Sequence, residues 1–376
     1  MSSFQLSVDE VVAVSAPMLR VAAIPLVSPG GEISSNVTNV SRVTDRLVLA
    51  AREGITLAVF PEACLTECAN LAKLPRRELD ELAEPIDGPS VSAVADAVDA
   101  TGVAAGVGLI ERTPDGRLFN SYVVCMPGGV RYCHRKLYAF EHRRIECGNR
   151  FTVFDTAWGV RIAVLIGGDN YLIENVRMTA LMGATLLVAP HRRYRMNRDR
   201  ACELQPISAR HASRADAARD VENSNAGEGN DSGEAGDLHR WLPARAADNG
   251  MFVAFSDSAE AGDEAGDEAG DEPHSAMIVD PNGRVLADNA GNAASANSPA
   301  NTRTFVSAEL DSTLIDTSAG RQWLENRRPE LYGPLAQTEN QAPAISRTSA
   351  PVRGGAVPVS FAVVGRNRLS RGGNLC

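Results

Sequence analysis

Between residues 19 and 191, short apolar runs of strand type alternate with amphipathic stretches of helical period. The apolar runs predict strands over 20–26, 56–60, 103–110, 120–126, 161–167 and 185–190, opening on LRVAAIPLV. Helices are expected over about 38–53, 90–101 and 172–182, and in the first of these Val40, Val43, Leu47, Leu49 and Ala50 fall largely on one face. Strands interleaved with helices in this way predict an α/β layered fold.

The pattern fails from about 192 to 238, where Gly, Asn, Asp and Ser replace large apolar residues and too little remains to bury. It resumes in WLPARAADNGMFVAFSD (241–257), read as a helix and then a strand. A thrice-repeated Ala-Gly-Asp-Glu follows within an expected acidic loop, 258–274. SAMIVDPNGRVLAD (275–288) predicts a hairpin turning at Asp280-Pro281-Asn282-Gly283. A last strand over 304–310 and a helix near 318–327 complete the body. The expected organisation is an extension over 1–18, one domain over 19–335 carrying a polar insert at about 200–238, and a disordered tail over 336–376.

With 37 basic and 47 acidic residues the formal charge is −10, but eight of the acids sit in 257–272. Without them the chain is near neutral, so no basic field draws it to nucleic acid or a membrane surface. No run approaches the roughly 20 apolar residues of a membrane helix, and the N-terminus makes a poor signal peptide because Asp9 and Glu10 interrupt it. Seven scattered cysteines read as reduced thiols of a cytoplasmic protein, and no Cys/His spacing suggests a metal site.

Three segments concentrate candidate chemistry. In AVFPE (58–62) an apolar strand ends in Glu62, which faces a pocket above the sheet or else caps a helix at the surface. In HRKLYAFEH (134–142) Lys136 and Glu141 share either a pocket or a solvated charged turn. In IAVLIGGDN (162–170) a buried strand ends in Gly167 and Gly168 and opens a helix, the sharp elbow at which α/β enzymes present a nucleophile or bind phosphate. Neither glycine has a reactive side chain, and no phosphate-loop lysine follows. The cluster Arg192, Arg193, Arg195, Arg198 and Arg200 binds an anion or forms a solvated loop.

Together the three segments resemble the carbon–nitrogen hydrolase (nitrilase) superfamily. LAVFPEACLTE is similar to its glutamate motif, HRKLYAFEHRRIECG to its lysine motif, and VRIAVLIGGDNYLIENVRMTALMGATLLVAPH to its cysteine elbow. RAADNGMFVAFSD, SAMIVDPNGRVLAD and GRQWLENRRPELY extend the likeness over about 19–335. The resemblance implies an α-β-β-α sandwich, a homo-oligomer paired through helical faces, and no metal or organic cofactor. Residue by residue it implies Glu62 as general base, Lys136 as the stabiliser of the tetrahedral intermediate, and Glu141 as the second glutamate orienting lysine and substrate. Gly168, Asp169 and His191 would line the substrate. The family's nucleophilic cysteine falls on Gly167, a departure that leaves a small void and no thiolate.

The lineage reaction is hydrolysis of a small amide, nitrile or N-carbamoyl compound through a covalent acyl intermediate. Two functions follow: a C–N hydrolase impaired at its nucleophile, or an inert pseudo-hydrolase that binds a small molecule or serves as an oligomer partner. Cys64, Cys68 and Cys147 are the thiols nearest the motifs, and incidental burial competes with a relocated nucleophile for each.

Overall fold

The computed structural model describes residues 19–28, 36–66, 71, 74–192, 233–260, 275–289 and 305–336. The expected extension, most of the polar insert, the Ala-Gly-Asp-Glu repeat, the tail after 336, Arg193 to Arg200 and Cys68 lie outside them.

Two seven-stranded sheets organise residues up to Arg327. The first contains β1 (Leu19–Ala23), β3 (Leu57–Val59), β4 (Ala104–Arg112), β5 (Leu118–Cys125), β6 (Arg131–Arg135), β7 (Ile145–Glu146) and β14 (Val306–Leu310). Its order is β14-β1-β3-β4-β5-β6, with β7 on β5. The second contains β2 (Leu26–Ser28), β8 (Thr152–Asp155), β9 (Arg161–Val164), β10 (Leu186–Arg192), β11 (Phe252–Glu260), β12 (Ala276–Val279) and β13 (Val285–Asp288). Its order is β13-β12-β11-β10-β9-β8, with β2 on β11.

Apolar faces dictate the layers. Leu19, Val21, Val59, Tyr122, Ile162, Val188, Phe252 and Ile278 pack together, so each sheet turns one face to the other. The far face of the first sheet packs on α1 (Asn36–Arg52) and α3 (Pro89–Thr101) through Val43, Leu47, Val91 and Val94. That of the second packs on α4 (Ile173–Leu181) and α5 (Gly233–Asn249) through Val176, Ala180, Leu238 and Leu242. The chain is an α-β-β-α sandwich. Each fully buried Leu, Val or Phe contributes about 1.5–3 kcal/mol, so the three interfaces, not helix propensity, hold the elements.

The α1 stripe is narrower than its sequence suggests: Asn39, Val43, Leu47 and Ala50 are buried, whereas Leu49 is exposed. Several boundaries also differ from expectation: the run read as one strand over 20–26 divides into β1 and β2, which join different sheets, and the strand expected over 161–167 ends at Val164. Helix α5 starts at Gly233, inside the expected insert, and buries Leu238; β11 runs on to Glu260, inside the expected acidic loop. In both places pairing and packing extend an element into polar sequence. The β12–β13 hairpin turns where expected, with Asp280 Oδ1 accepting the amides of Asn282 and Arg284. A short α2 (Arg76–Leu82), α6 (Thr313–Thr317) and α7 (Ala319–Glu325) complete this unit. Arg328–Cys376 is a second unit, of which the described part is two 3-10 turns, Pro329–Leu331 and Gly333–Ala336. Among the described residues no helix is long and apolar enough to cross a membrane.

Candidate active site

Parallel strands end together, so the residues just past β3, β9 and β10 gather at carboxyl edges, where open α/β sheets bind ligands. Glu62 follows β3, Gly167 follows β9, and His191 closes β10 against Asp257 of β11. Lys136 follows β6, whose register on β5 sets Asn120 beside it: the Lys136 amide donates to the Asn120 carbonyl at 2.8 Å. The backbone tightens at this edge. Ala63 has φ 51°, and among the described residues it is the non-glycine with positive φ, a strain of the kind that collects at functional sites. Gly108 permits that turn, because a Cβ there would stand 2.3 Å from the Ala63 nitrogen.

The charged groups form one buried cluster. Lys136 Nζ donates to Glu62 Oε1 at 2.6 Å and also to Glu141 Oε1. Asn120 Nδ2 donates to the same two oxygens, at 2.7 and 2.5 Å. Glu62 and Asn120 have no exposure, and Lys136 and Glu141 are buried. The surface-cap reading of Glu62 and the solvated-turn reading of residues 134–142 are both overturned, since an ion pair inside the protein supplies what water would have supplied.

Burial drives the carboxyls upward and the lysine downward; the pairing decides each outcome. For Glu62 the Lys136 ammonium, the neighbouring His191 and the hydrogen bonds outweigh burial and hold the carboxyl below its ordinary value. Burial wins for Glu141, helped by repulsion from Glu62, so its carboxyl is raised despite Lys136. Lys136, between two carboxylates, is held well above its ordinary value although burial opposes it.

At the elbow, Gly167–Tyr171 forms a 3-10 turn before α4. Gly167 has φ +49°, in the left-handed region. A Cβ built on it would stand 2.5 Å from Glu62 Oε2 and 3.0 Å from Lys136 Nζ. The structure thus brings Glu62, Lys136 and Glu141 together at Gly167. The expected void is absent, because the ends of Glu62 and Lys136 occupy the space that a side chain would take. Gly168 faces open space.

Asp169 is fully buried and ties the elbow to the lysine loop. Its Oδ2 accepts the amides of Leu137 at 3.1 Å and Ile166 at 3.2 Å, and its Oδ1 accepts that of Tyr138 at 2.9 Å. His134 Nε2 lies 3.6 Å from Oδ2. Asn170 Nδ2 donates to the carbonyls of Leu165 and Gly167, fixing the turn. His191 is buried; its Nδ1 lies 3.0 Å from Asp257 Oδ1, and its carbonyl accepts the Glu62 amide at 3.3 Å. Arg192 is buried in β10, not solvated. Cys64 Sγ accepts the Gly108 amide and Cys147 Sγ that of Ala139, each at 3.4 Å, so both thiols have structural contacts of their own. Among the described residues no group of three or more His, Cys, Asp or Glu side chains is arranged to hold a metal.

The carbon-nitrogen hydrolase family model matches residues 20–297. The chain belongs to the carbon–nitrogen hydrolase family. It is similar to an (R)-stereoselective amidase of a Pseudomonas species, 29% identical over 267 residues that make up 70% of this chain and 79% of that one. In fold it resembles Saccharomyces cerevisiae Nit3, a member of branch 10 of the nitrilase superfamily (TM-score 0.57, 18% identity, 83% of this chain and 96% of that one). It also resembles a Glu-to-Gln variant of the amidase from Nesterenkonia sp. AN1, which shows covalent addition of the acetamide moiety of fluoroacetamide at its active-site cysteine (TM-score 0.54, 18% identity, 84% and 96%).

Two members of this buried cluster and its surroundings are absent from the sequence reading. Asn120 lies inside an apolar strand run, LFNSYVVC, and that Asn-Ser pair in a buried strand is the signal that would have marked it. Asp257, which closes the segment 241–257, received no role there, whereas it is fully buried on His191.

Proposed function

We propose that this chain binds a small amide, nitrile or N-carbamoyl compound among Glu62, Lys136 and Glu141, and that its C–N hydrolysis is impaired because Gly167 stands at the nucleophile position. The observation that carries this reading is the Cβ direction at Gly167, 2.5 Å from Glu62 Oε2 and 3.0 Å from Lys136 Nζ. A thiol projecting there would have a carboxylate to take its proton and an ammonium beside the developing oxyanion. The active-site cysteine named for the Nesterenkonia amidase supports the same chemistry for the lineage.

Ammonia release from a panel of amides, nitriles and N-carbamoyl compounds tests it. In subtilisin the loss of the nucleophile costs about 10⁶ in turnover, and a comparable deficit is expected here. Turnover at an ordinary enzymic rate, about 1–1,000 per second, would sink the reading.

The occupation of the space at Gly167 by Glu62 and Lys136 favours a second reading, an inert relative that binds a small molecule. Bound amide with no ammonia release identifies that case. Ile173, Met178, Leu181 and Met182 of α4 and Trp241 of α5 are exposed and support pairing of copies through this helical face. Light scattering across a concentration series tests the pairing, and a monomer throughout would exclude it.

A further inference from the structure

His191 and Asp257 form a buried pair that the glutamate–lysine cluster does not use. They are opposite partners in the β10–β11 ladder, with Nδ1 and Oδ1 3.0 Å apart. Strands β10 and β11 are otherwise apolar up to this level: Leu186 to Ala189 and Phe252 to Phe255 are buried hydrophobic residues. A buried imidazole and carboxylate are costly there unless they satisfy each other. The Asp257 amide donates to the Ser275 carbonyl at 3.0 Å, and Ser275 Oγ donates to Asp257 Oδ2 at 3.5 Å. An ionised carboxylate only accepts, so Nδ1 carries the hydrogen and Nε2 keeps its lone pair.

The ladder also puts this pair beside the elbow. Val188 pairs with Val164 across β9 and β10, and the Leu165 amide donates to the Val188 carbonyl at 3.1 Å. The ladder ends there; Gly167 lies three residues past Val164 and His191 three past Val188, so both stand beyond the same end of it. The His191 carbonyl holds the Glu62 amide, so the same residue touches the loop that carries the carboxylate.

Without a thiol at position 167, an acyl-enzyme is not formed there, and hydrolysis requires a base for water itself. Glu62 suits that role poorly: Lys136 and Asn120 both donate to its Oε1. Glu141 is bridged by the same two donors, and Asp169 is committed to three backbone amides. Imidazole is the side chain that exchanges protons near neutrality.

We propose that His191, oriented by Asp257, is the general acid–base group of a one-step hydrolysis in which water attacks a small amide bound beside Gly167. Nε2 takes a proton from water as the water oxygen bonds to the carbonyl carbon. The oxyanion forms next to the Lys136 ammonium. The proton on Nε2 then passes to the amide nitrogen as the C–N bond breaks, which releases the carboxylic acid and ammonia or an amine. The proposal rests on the reading of the site as an amide pocket, and the test separates the two.

The parent, His191→Gln, Asp257→Asn and the double variant are assayed for ammonia release from acetamide, butyramide and benzamide, with hydroxylamine present in parallel. Amide affinity is measured by calorimetry on each. Slow release without hydroxamate is expected from the parent. Each single variant should lose about 100-fold or more of that rate, and the double variant no more than the singles, since a pair acting as one unit is not additive. Amide affinity should stay near that of the parent, so that the loss falls on turnover; the melting midpoint should fall, because each single variant leaves a buried partner unsatisfied, and a merely structural role would lower the midpoint without a selective loss of rate. If His191→Gln does not fold, Asp257→Asn keeps the test, because the wrong tautomer alone removes the base. Hydroxamate formation, unchanged rates in the variants, or a parent that binds amide but releases nothing overturns the proposal while leaving the pocket intact. A parent that binds none of the three amides overturns the pocket reading and the proposal with it.

Discussion

Asn120 Nδ2 lies 2.7 Å from Glu62 Oε1, and the same nitrogen reaches Glu141 Oε1. A carboxamide nitrogen carries two hydrogens, so one neutral group satisfies two carboxylates without adding charge. Asn120→Ala removes that donor from a buried anionic pair and should lower stability by about 1–3 kcal/mol. Asn120→Asp should cost more, since it places a third carboxyl in the cluster. Urea unfolding of the two variants decides it; equal stability to the parent would show that the bridge contributes nothing.

Why was Asn120 not legible while Glu62 was? Glu62, Lys136 and the elbow sit just past strand ends, where a change from apolar to polar residues is visible in one dimension. Asn120 sits inside β5, and only the pairing of β5 with β6 brings it to Lys136. Strand β6 itself, RYCHR, has no apolar alternation and is held by its ladder to β5, so pattern reading passes over it. The role of Asp257 was not legible for a related reason. Its neighbours in sequence are acidic and polar, but β11 extends through them by pairing with β10 and β2. The layers were legible because three separate apolar faces recur in the sequence. The backbone state of Gly167 was not, because glycine is equally at home on either side of φ zero.

Asp169 makes a clear stability prediction. Both oxygens accept backbone amides from the elbow and from the loop after Lys136. In Asp169→Asn one oxygen becomes an NH₂ group that faces N–H donors, so at least one amide loses its acceptor. The expected loss is about 3 kcal/mol, at the upper end for a charge-assisted buried bond. Hydrogen exchange at Leu137, Tyr138 and Ile166 should quicken together. Faster exchange at only one of the two segments would refute the coupling of elbow and lysine loop.

The cluster also fixes the pH limits of stability. Burial disfavours the Lys136 ammonium, but Glu141 and Glu62 more than compensate, so its folded value is raised above the ordinary 10.5. The folded state therefore holds a proton that the unfolded chain releases. Its stabilisation is complete below pH 10.5 and is lost as pH rises beyond it. Each pH unit in that window costs about 1.4 kcal/mol. Glu62 behaves oppositely: burial opposes its charge, Lys136 and His191 lower its carboxyl below 4.5, and the contribution present above that value is lost as pH falls through the folded one. Denaturant unfolding across pH should show Lys136→Met lacking the alkaline decline and Glu62→Gln lacking part of the acid decline. Parallel curves for parent and variants would contradict both assignments.

Gly167→Cys tests the nucleophile position directly. The substitution carries two costs that can be read from the backbone and its neighbours. A φ of +49° disfavours any residue with a Cβ, by about 1–2 kcal/mol, and nucleophile elbows elsewhere are strained turns of this kind. The new Cβ would also approach Glu62 Oε2 to 2.5 Å and Lys136 Nζ to 3.0 Å. Both atoms end side chains, but Glu62 Oε2 has to withdraw from the new Cβ against the hydrogen bonds of the buried cluster. The thiol would then stand between a carboxylate that accepts its proton and an ammonium that favours the thiolate. Intact mass after treatment with an activated ester should show one adduct per chain in the variant and none in the parent. Ammonia release from amides should rise in the variant and fall again in Gly167→Cys combined with Glu62→Gln. The chain's seven native cysteines provide the internal control, since adduct formation in the parent would mean that a thiol already present acts as nucleophile. A variant that folds, keeps the Lys136–Glu62 pair and still forms no adduct would place the lost function elsewhere than at position 167.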